Sequence, residues 1–433
     1  MPRSDAWKEQ PDGTWLQAYD GMEKYFFAIS APDGQPTPFM IGSRVPTVAA
    51  VVTDKGKLYR PADSEAVVQE WLSVSFRVHD GPPAEDNPES CFARFRQVPH
   101  IILHYFPRSR ELLIQACHVL IDGIGALYLW DRFFSILATP SPSKRSAPGT
   151  ESALLLPVTT ELLGVPSTSS PAGADRANRL VGTWAGKTYS QDAAGIPVVH
   201  AGQPPGDSYL RREVRLPRPA TDAVVRACKR NGYTVTCAWQ AAVLLAMRRH
   251  ANLHGVEEPA CASATVTMNL RPHFSSSASF DPRSAFAAPY YFAMPFDVDY
   301  ETSSSFDKLA RHSSAYFHSA LAPGSGDLEM IPAYLDLLVG ATASESKPPP
   351  SSAPILSSLG VVDNYLRSRP GTWEIAGFWL ADTTTTEMSL VFLWTFRGEM
   401  VLSMSPNARY MTTDMADHFL AEVRDIMVKE LNI

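Results

Sequence analysis

Cysteine is scarce in this chain, and what there is does not pair. Only Cys91, Cys117, Cys228, Cys237 and Cys261 occur among 433 residues. An odd count with no Cys-x-x-Cys spacing and mostly apolar neighbours reads as reduced, buried thiols rather than a disulfide framework, and points to a cytoplasmic location. Block charge is missing too. Lys plus Arg number 38 against 45 Asp plus Glu, for a formal net charge of −7. With no run of Lys or Arg, nucleic acid and anionic membrane are not expected as main partners. No apolar run reaches the roughly 18 residues that cross a bilayer. The polar opening "MPRSDAWKEQPDGTWLQAYDG" has no apolar secretory core, so no signal peptide is read. Absent as well are a Gly-x-Ser-x-Gly elbow, a P-loop, a Gly-x-Gly-x-x-Gly fingerprint and any repeat of about 20–50 residues.

What is present is a soluble, globular balance of 45% hydrophobic and 19% charged residues. The length exceeds one ordinary core and suits two domains or lobes. In "HIILHYFPRSRELLIQACHVL" two apolar runs, 100–106 and 111–118, flank the turn signal "PRSR" and predict an antiparallel hairpin. Period 2 places Leu112, Ile114, Ala116 and His118 on one face of its second strand. Leu127, Trp130, Phe134 and Leu137 then recur at helical spacing. Residues 139–208, with "TPSPSKRSAPGTES" and "VPSTSSPAGADRA", are rich in Pro, Ser and Gly and read as a crossover with a few short elements. Helices are expected over "PRPATDAVVRACKRNGY", ending near Asn231-Gly232, over "TVTCAWQAAVLLAMRRHA", near 305–321 and 326–341, and at the C-terminus. Strands are expected over "ACASATVTMNLRP", "APYYFAMPFDVDY", "ILSSLGVVDNYL", "EIAGFWLAD" and a hairpin turning at Arg397-Gly398. Helices mixed with hairpins in each half predict an α+β protein of two lobes.

One stretch stands out, "QACHVLIDGIGALYLW" (115–130), where His118, Asp122 and Gly123 interrupt an oily run at the turn from strand to helix. A neutral imidazole at the end of a buried strand suits a general base. Asp122 suits local geometry, and an aspartate buried there needs a cation. On pattern alone His118 could equally be a satisfied core histidine, and Asp122 a helix cap. Elsewhere, His250-x-x-x-His254 lacks the Glu or Cys that would complete a metal site, so no metal is expected. The run Thr383 to Thr386 could offer a hydroxyl to an oxyanion but reads more simply as strand or turn. Tyr290-Tyr291 and Met294 to Tyr300 read as core or pocket lining.

His118-x-x-x-Asp122-Gly123, between a hairpin strand and an apolar helix, resembles the HxxxDG signature of the CoA-dependent acyltransferase superfamily. That superfamily includes chloramphenicol acetyltransferase, the plant BAHD enzymes, trichothecene O-acetyltransferases and condensation domains. The resemblance runs from about residue 65 to the end, through "GYTVTCAWQAAVLLAMRRHA", "VTMNLRP" and "ILSSLGVV". It implies two chloramphenicol-acetyltransferase-like lobes, each a mostly antiparallel sheet with helices, and an active-site tunnel between them. The lobes would be 1–180, with the crossover from about 139, and 181–433. It further implies His118 as general base, Asp122 paired with Arg271, and Gly123 supporting the loop. Asn269, Ser357, Thr383 and Thr385 are candidates for tunnel or oxyanion contacts.

The activity implied is transfer of an acyl group, acetyl first, from CoA to a hydroxyl of a hydrophobic secondary metabolite. The partners would be acyl-CoA and a small-molecule acceptor, with no permanently bound cofactor, in a stand-alone monomer. The resemblance leans to trichothecene 15-O-acetyltransferase-like enzymes. Cys117 stands where condensation domains carry the first of two histidines, which disfavours a carrier-protein-bound donor. "GFWLAD" (377–382) does not match the Asp-Phe-Gly-Trp-Gly motif of the plant branch. A condensation-like enzyme, a cyclase and a non-catalytic lipophile binder are the alternatives on the same fold.

Overall fold

The computed structural model describes residues 6–28, 50–60, 64–82, 85–94, 98–138, 155–251, 256–275, 288–322, 324–343 and 349–433. The "TPSPSKRSAPGTES" stretch (139–152) and His254 lie outside them.

The expected hairpin is present. Strands Ile102–Phe106 and Glu111–Gln115 pair antiparallel, Ile102 opposite Gln115 and Phe106 opposite Glu111. Arg110 closes their turn in the left-handed region at φ 59°. Phe76–Val78 adds a parallel third strand. A four-stranded antiparallel sheet, in the order Trp7–Glu9, Trp15–Gln17, Gly56–Tyr59, Val51–Thr53, is also built from this end of the chain.

The second lobe is organised on a larger sheet. Its strands run in the order Tyr291–Asp299, Cys261–Asn269, Ile355–Val361, Leu390–Phe396, Glu399–Ser405, Arg212–Leu216, and Ala193–Ala194 also pairs with Cys261–Asn269. The pairing is mixed rather than mostly antiparallel. Ile355–Val361 is parallel to both of its neighbours. The reason lies in the connections: helices Phe306–Ser319 and Asp327–Ala343 carry the chain back before residue 355, the long crossover that parallel pairing requires. Helices Val235–His250, Phe306–Ser319 and Thr413–Glu430 pack together. Arg218–Asn231 ends on Gly232 at φ 76°, the left-handed cap expected of Asn-Gly. The last hairpin turns at Arg397 and Gly398, both at positive φ.

Three local readings change. The histidine strand stops at Gln115, so His118 sits in the following turn and not on the strand's apolar face. "EIAGFWLAD" forms no strand; residues 374–382 run as coil. Within the supposed linker, Pro171–Thr188 is an 18-residue helix that carries the chain through residue 180 unbroken. Its start is written in the same residues that suggested a loop: Ser170 accepts from the Gly173 N–H, and Pro171 opens the first turn where its missing N–H costs nothing.

A repeat too diverged to read in the sequence is visible in three dimensions. After Glu111–Gln115 the chain turns, with the Leu120 N–H on the Cys117 carbonyl (2.9 Å), and Asp122 caps helix Gly123–Leu137. After Glu399–Ser405 it turns again, with the Tyr410 N–H on the Asn407 carbonyl (3.0 Å), and Thr412 caps Thr413–Glu430. The cap bonds match, Asp122 Oδ1 to the Gly125 N–H and Thr412 Oγ1 to the Met415 N–H. Where the first copy places His118, the second places Ala408.

The two lobes share a core. Ile124 and Leu127 of the motif helix pack in one apolar cluster with Leu359, Val362, Phe392 and Trp394 of the second lobe. Leu127 is fully buried. Leu127→Ala should therefore destabilise the protein by about 2–5 kcal/mol, measured by denaturant unfolding.

Candidate active site

From Leu113 to Asp122 every residue is buried except His118, which is half-buried. The turn holds this one imidazole out of the core while Cys117, Val119, Leu120 and Ile121 anchor it with no exposed surface. The ring faces the second lobe. Its Nε2 lies 3.2 Å from the Tyr291 hydroxyl, and the two rings stack with centroids 5.0 Å apart. Tyr291 also lines a cavity of about 280 Å³ bounded by Tyr19, Met22, Leu270, Ile331 and Leu335.

Asp122 divides its two oxygens. Oδ1 accepts from the Gly125 N–H at 2.6 Å, capping the motif helix, and Oδ2 accepts from Arg271 Nη1 at 2.9 Å. Both side chains of the pair are almost wholly buried, at 4% and 3% exposure. Taking two charges out of water costs several kcal/mol each, so the geometry has to compensate, and other groups help. Asn269 Oδ1 accepts from both the Arg271 backbone N–H and Nη1, and the guanidinium lies over the Tyr290 ring at 5.3 Å. The Tyr290 hydroxyl in turn donates to the Pro157 carbonyl. Gly123 supplies clearance: a Cβ there would come within 3.0 Å of Leu359 Cδ2, across the lobe boundary.

His118, Asp122, Gly123, Asn269 and Arg271 are thus brought together in one place. Ser357 lies on the strand beside Cys261–Asn269, where its Oγ accepts from Thr267 Oγ1 at 3.1 Å. Thr383 is buried and Thr385 half-buried on the coil and bend after Asp382. Sequence reasoning passed over two neighbours of the histidine. In the sequence Tyr291 reads only as core or pocket lining, although alternation along Tyr290-Tyr291-Phe292 turns it to the face opposite Tyr290. Asp382, the last residue of "GFWLAD", is buried and close enough to feel the His118 ring. Burial pushes its carboxyl above the ordinary aspartate range, and His118 opposes that shift. No periodic signal marks a single carboxylate on a coil.

A half-buried imidazole whose Nε2 faces the other lobe, on a turn pinned by a buried ion pair, has the geometry that a base acting on a ligand between the lobes would need. The solved structure of trichothecene 15-O-acetyltransferase TRI3 from Fusarium sporotrichioides superposes with a TM-score of 0.77, over 99% of this chain and 97% of that one, at 14% identity. The fold is therefore the two-lobed, chloramphenicol-acetyltransferase-like one. No family model matches the chain.

By sequence it is similar to the O-acetyltransferase pigM of Monascus ruber, 26% identical over 90% of this chain and 74% of the relative. It is also similar to the acetyltransferase pigO of the same organism, 24% identical over 90% and 83%. A third relative, 26% identical over 84% and 77%, is named loline biosynthesis cluster 1 transcription factor lolU1, of Epichloe uncinata.

Replacing Asp122 by Asn keeps a capping oxygen but leaves the Arg271 charge buried without its partner. That variant should lose about 3–5 kcal/mol of stability in denaturant unfolding, because an uncompensated buried charge is what remains.

Proposed function

We propose that this protein is an O-acyltransferase that moves an acyl group, acetyl first, from CoA to a hydroxyl of a hydrophobic secondary metabolite. The observation that carries the reading is the isolation of His118. It is the one accessible side chain in a buried turn, with Nε2 directed across the lobe boundary. The TRI3-like fold and the acetyltransferase relatives support the reaction class.

In this scheme the acceptor hydroxyl displaces the Tyr291 hydroxyl from His118 Nε2 and gives its proton to that nitrogen. The acceptor oxygen then attacks the thioester carbonyl carbon. As the tetrahedral intermediate collapses, the C–S bond breaks and the imidazolium returns the proton to the CoA thiolate, so CoA leaves as the free thiol and the ester remains. An imidazole can both take up a proton and give it back, which matches that double duty. Asp122 and Arg271 touch neither reactant; they hold the turn, and through it the angle of the ring. Asn269, Ser357, Thr383 and Thr385 are the candidates to line the acceptor or oxyanion side. The cavity beside Tyr291, with its largely apolar walls, suits a lipophilic acceptor.

Cys117 is fully buried next to His118 and offers no second catalytic group, in keeping with a CoA donor rather than a carrier-bound one. The enzyme would work as a cytoplasmic monomer without a resident cofactor. A net charge of −7 with no basic block gives a nucleic-acid-binding role no electrostatic footing.

The test is release of free thiol from acetyl-CoA in the presence of hydroxylated polyketide or terpenoid acceptors and no carrier protein. His118→Ala should abolish it while circular dichroism stays native. A folded His118→Ala enzyme within tenfold of wild type overturns the assignment.

A further inference from the structure

Three ligating side chains converge on the hairpin that delivers His118. His79 follows strand Phe76–Val78, His104 sits within Ile102–Phe106, and Cys91 lies on helix Pro88–Ala93. One ligand atom from each lies within 4.8 Å of the other two. His79 Nε2 is 2.8 Å from His104 Nδ1, and Cys91 Sγ is 4.0 Å from the same Nδ1.

The outward nitrogens are already engaged. His79 Nδ1 lies 2.5 Å from Asp86 Oδ1, and Asp86 Oδ2 accepts the Gly81 N–H. His104 Nε2 lies 3.0 Å from Gln115 Oε1. Oxygen acceptors on the outside keep an N–H on each outer nitrogen and leave a lone pair on each inner one. Two lone pairs 2.8 Å apart need an electrophile between them, either a proton or a metal ion.

We propose that His79, His104 and Cys91 form a binding site for a zinc-class divalent cation, with solvent in the fourth position and Asp86 and Gln115 orienting the two imidazoles. Tetrahedral zinc with bonds of about 2.0–2.1 Å to nitrogen and about 2.3 Å to sulfur sets ligand edges of roughly 3.3 Å and 3.6 Å. From the observed spacings the imidazoles open, and the sulfur closes, by roughly half an ångström each.

The frame is stiff enough to present the ligands. Asn87 and Ser90 form a reciprocal capping box that fixes the first turn of the helix, immediately before Cys91, and the His79 N–H is held by the Tyr105 carbonyl at 2.8 Å. Entry is open, because His79 and Cys91 are only partly buried. On binding, the Cys91 thiol gives its proton to solvent as the sulfur–metal bond forms, and any proton shared by the imidazoles leaves likewise. A second cluster, His250, His418 and Glu422, is weaker, since Arg249 already lies 3.1 Å from the Glu422 carboxylate.

Chelator-treated full-length protein titrated with Co²⁺ should show a thiolate-to-cobalt charge-transfer band saturating at about one equivalent. Folded Cys91→Ser should lack the band, and Zn²⁺ should bleach it. Cys91 is the one cysteine that is half-buried rather than buried. In wild-type protein Zn²⁺ should therefore slow its reaction with a disulfide reagent by at least tenfold. His118→Ala should behave as wild type in both assays, so the site stands or falls apart from the catalytic reading. No band and no protection would mean that the groups form only a hydrogen-bonded relay from Gln115 to Asp86. Co²⁺ binding that survives in Cys91→Ser would equally overturn the proposal.

Discussion

The buried ion pair between Asp122 and Arg271 is the constraint on which the rest of the site depends. Asp122 closes the turn that carries His118 and caps the helix behind it, while Arg271 lies two residues past the end of strand Cys261–Asn269 in the other lobe. Neither charge is tolerable alone in that environment, so the lobes are held in the arrangement in which the two charges meet. Asn269 and Tyr290 brace the arginine from its own side. The position of the imidazole is thereby set by residues buried away from solvent.

Apolar packing acts in the same direction. The motif helix inserts Ile124 and Leu127 among side chains of the second lobe, and Gly123 lets its first turn approach Leu359 closely. Burial gives the contact its strength, and the ion pair gives it a register, since oily surfaces alone tolerate sliding. The strand–turn–helix unit occurs twice, capped once by Asp122 and once by Thr412. Only the first copy has an imidazole at its exposed turn position and a charge facing the other lobe. The same backbone solution thus presents an imidazole in one place and Ala408 in the other.

That first hairpin also connects the two proposed sites in one element. Gln115 ends the strand, its side chain facing the His104 ring, and three residues later the chain presents His118. A cation held by His79, Cys91 and His104 would stiffen the hairpin from behind, in a turn whose front must hold a ring to within a fraction of an ångström.

The sequence by itself determined the hairpin, the helices with their Gly232 and Arg397-Gly398 punctuation, and the exceptional character of the segment from Gln115 to Trp130. These are local matters, set by periodicity, turn chemistry and capping within a few residues. The helix Pro171–Thr188 was legible in principle, through Ser170 and Pro171, but its composition favoured a linker. The Asp122–Arg271 pairing was reached only through resemblance, because nothing local links residues 149 positions apart. The tertiary structure alone decided that Tyr291 faces His118, that Asp382 is buried beside it, and that His79, Cys91 and His104 meet. Those encounters depend on which strand lies next to which and on where a coil packs, and side-chain period carries no information across such distances.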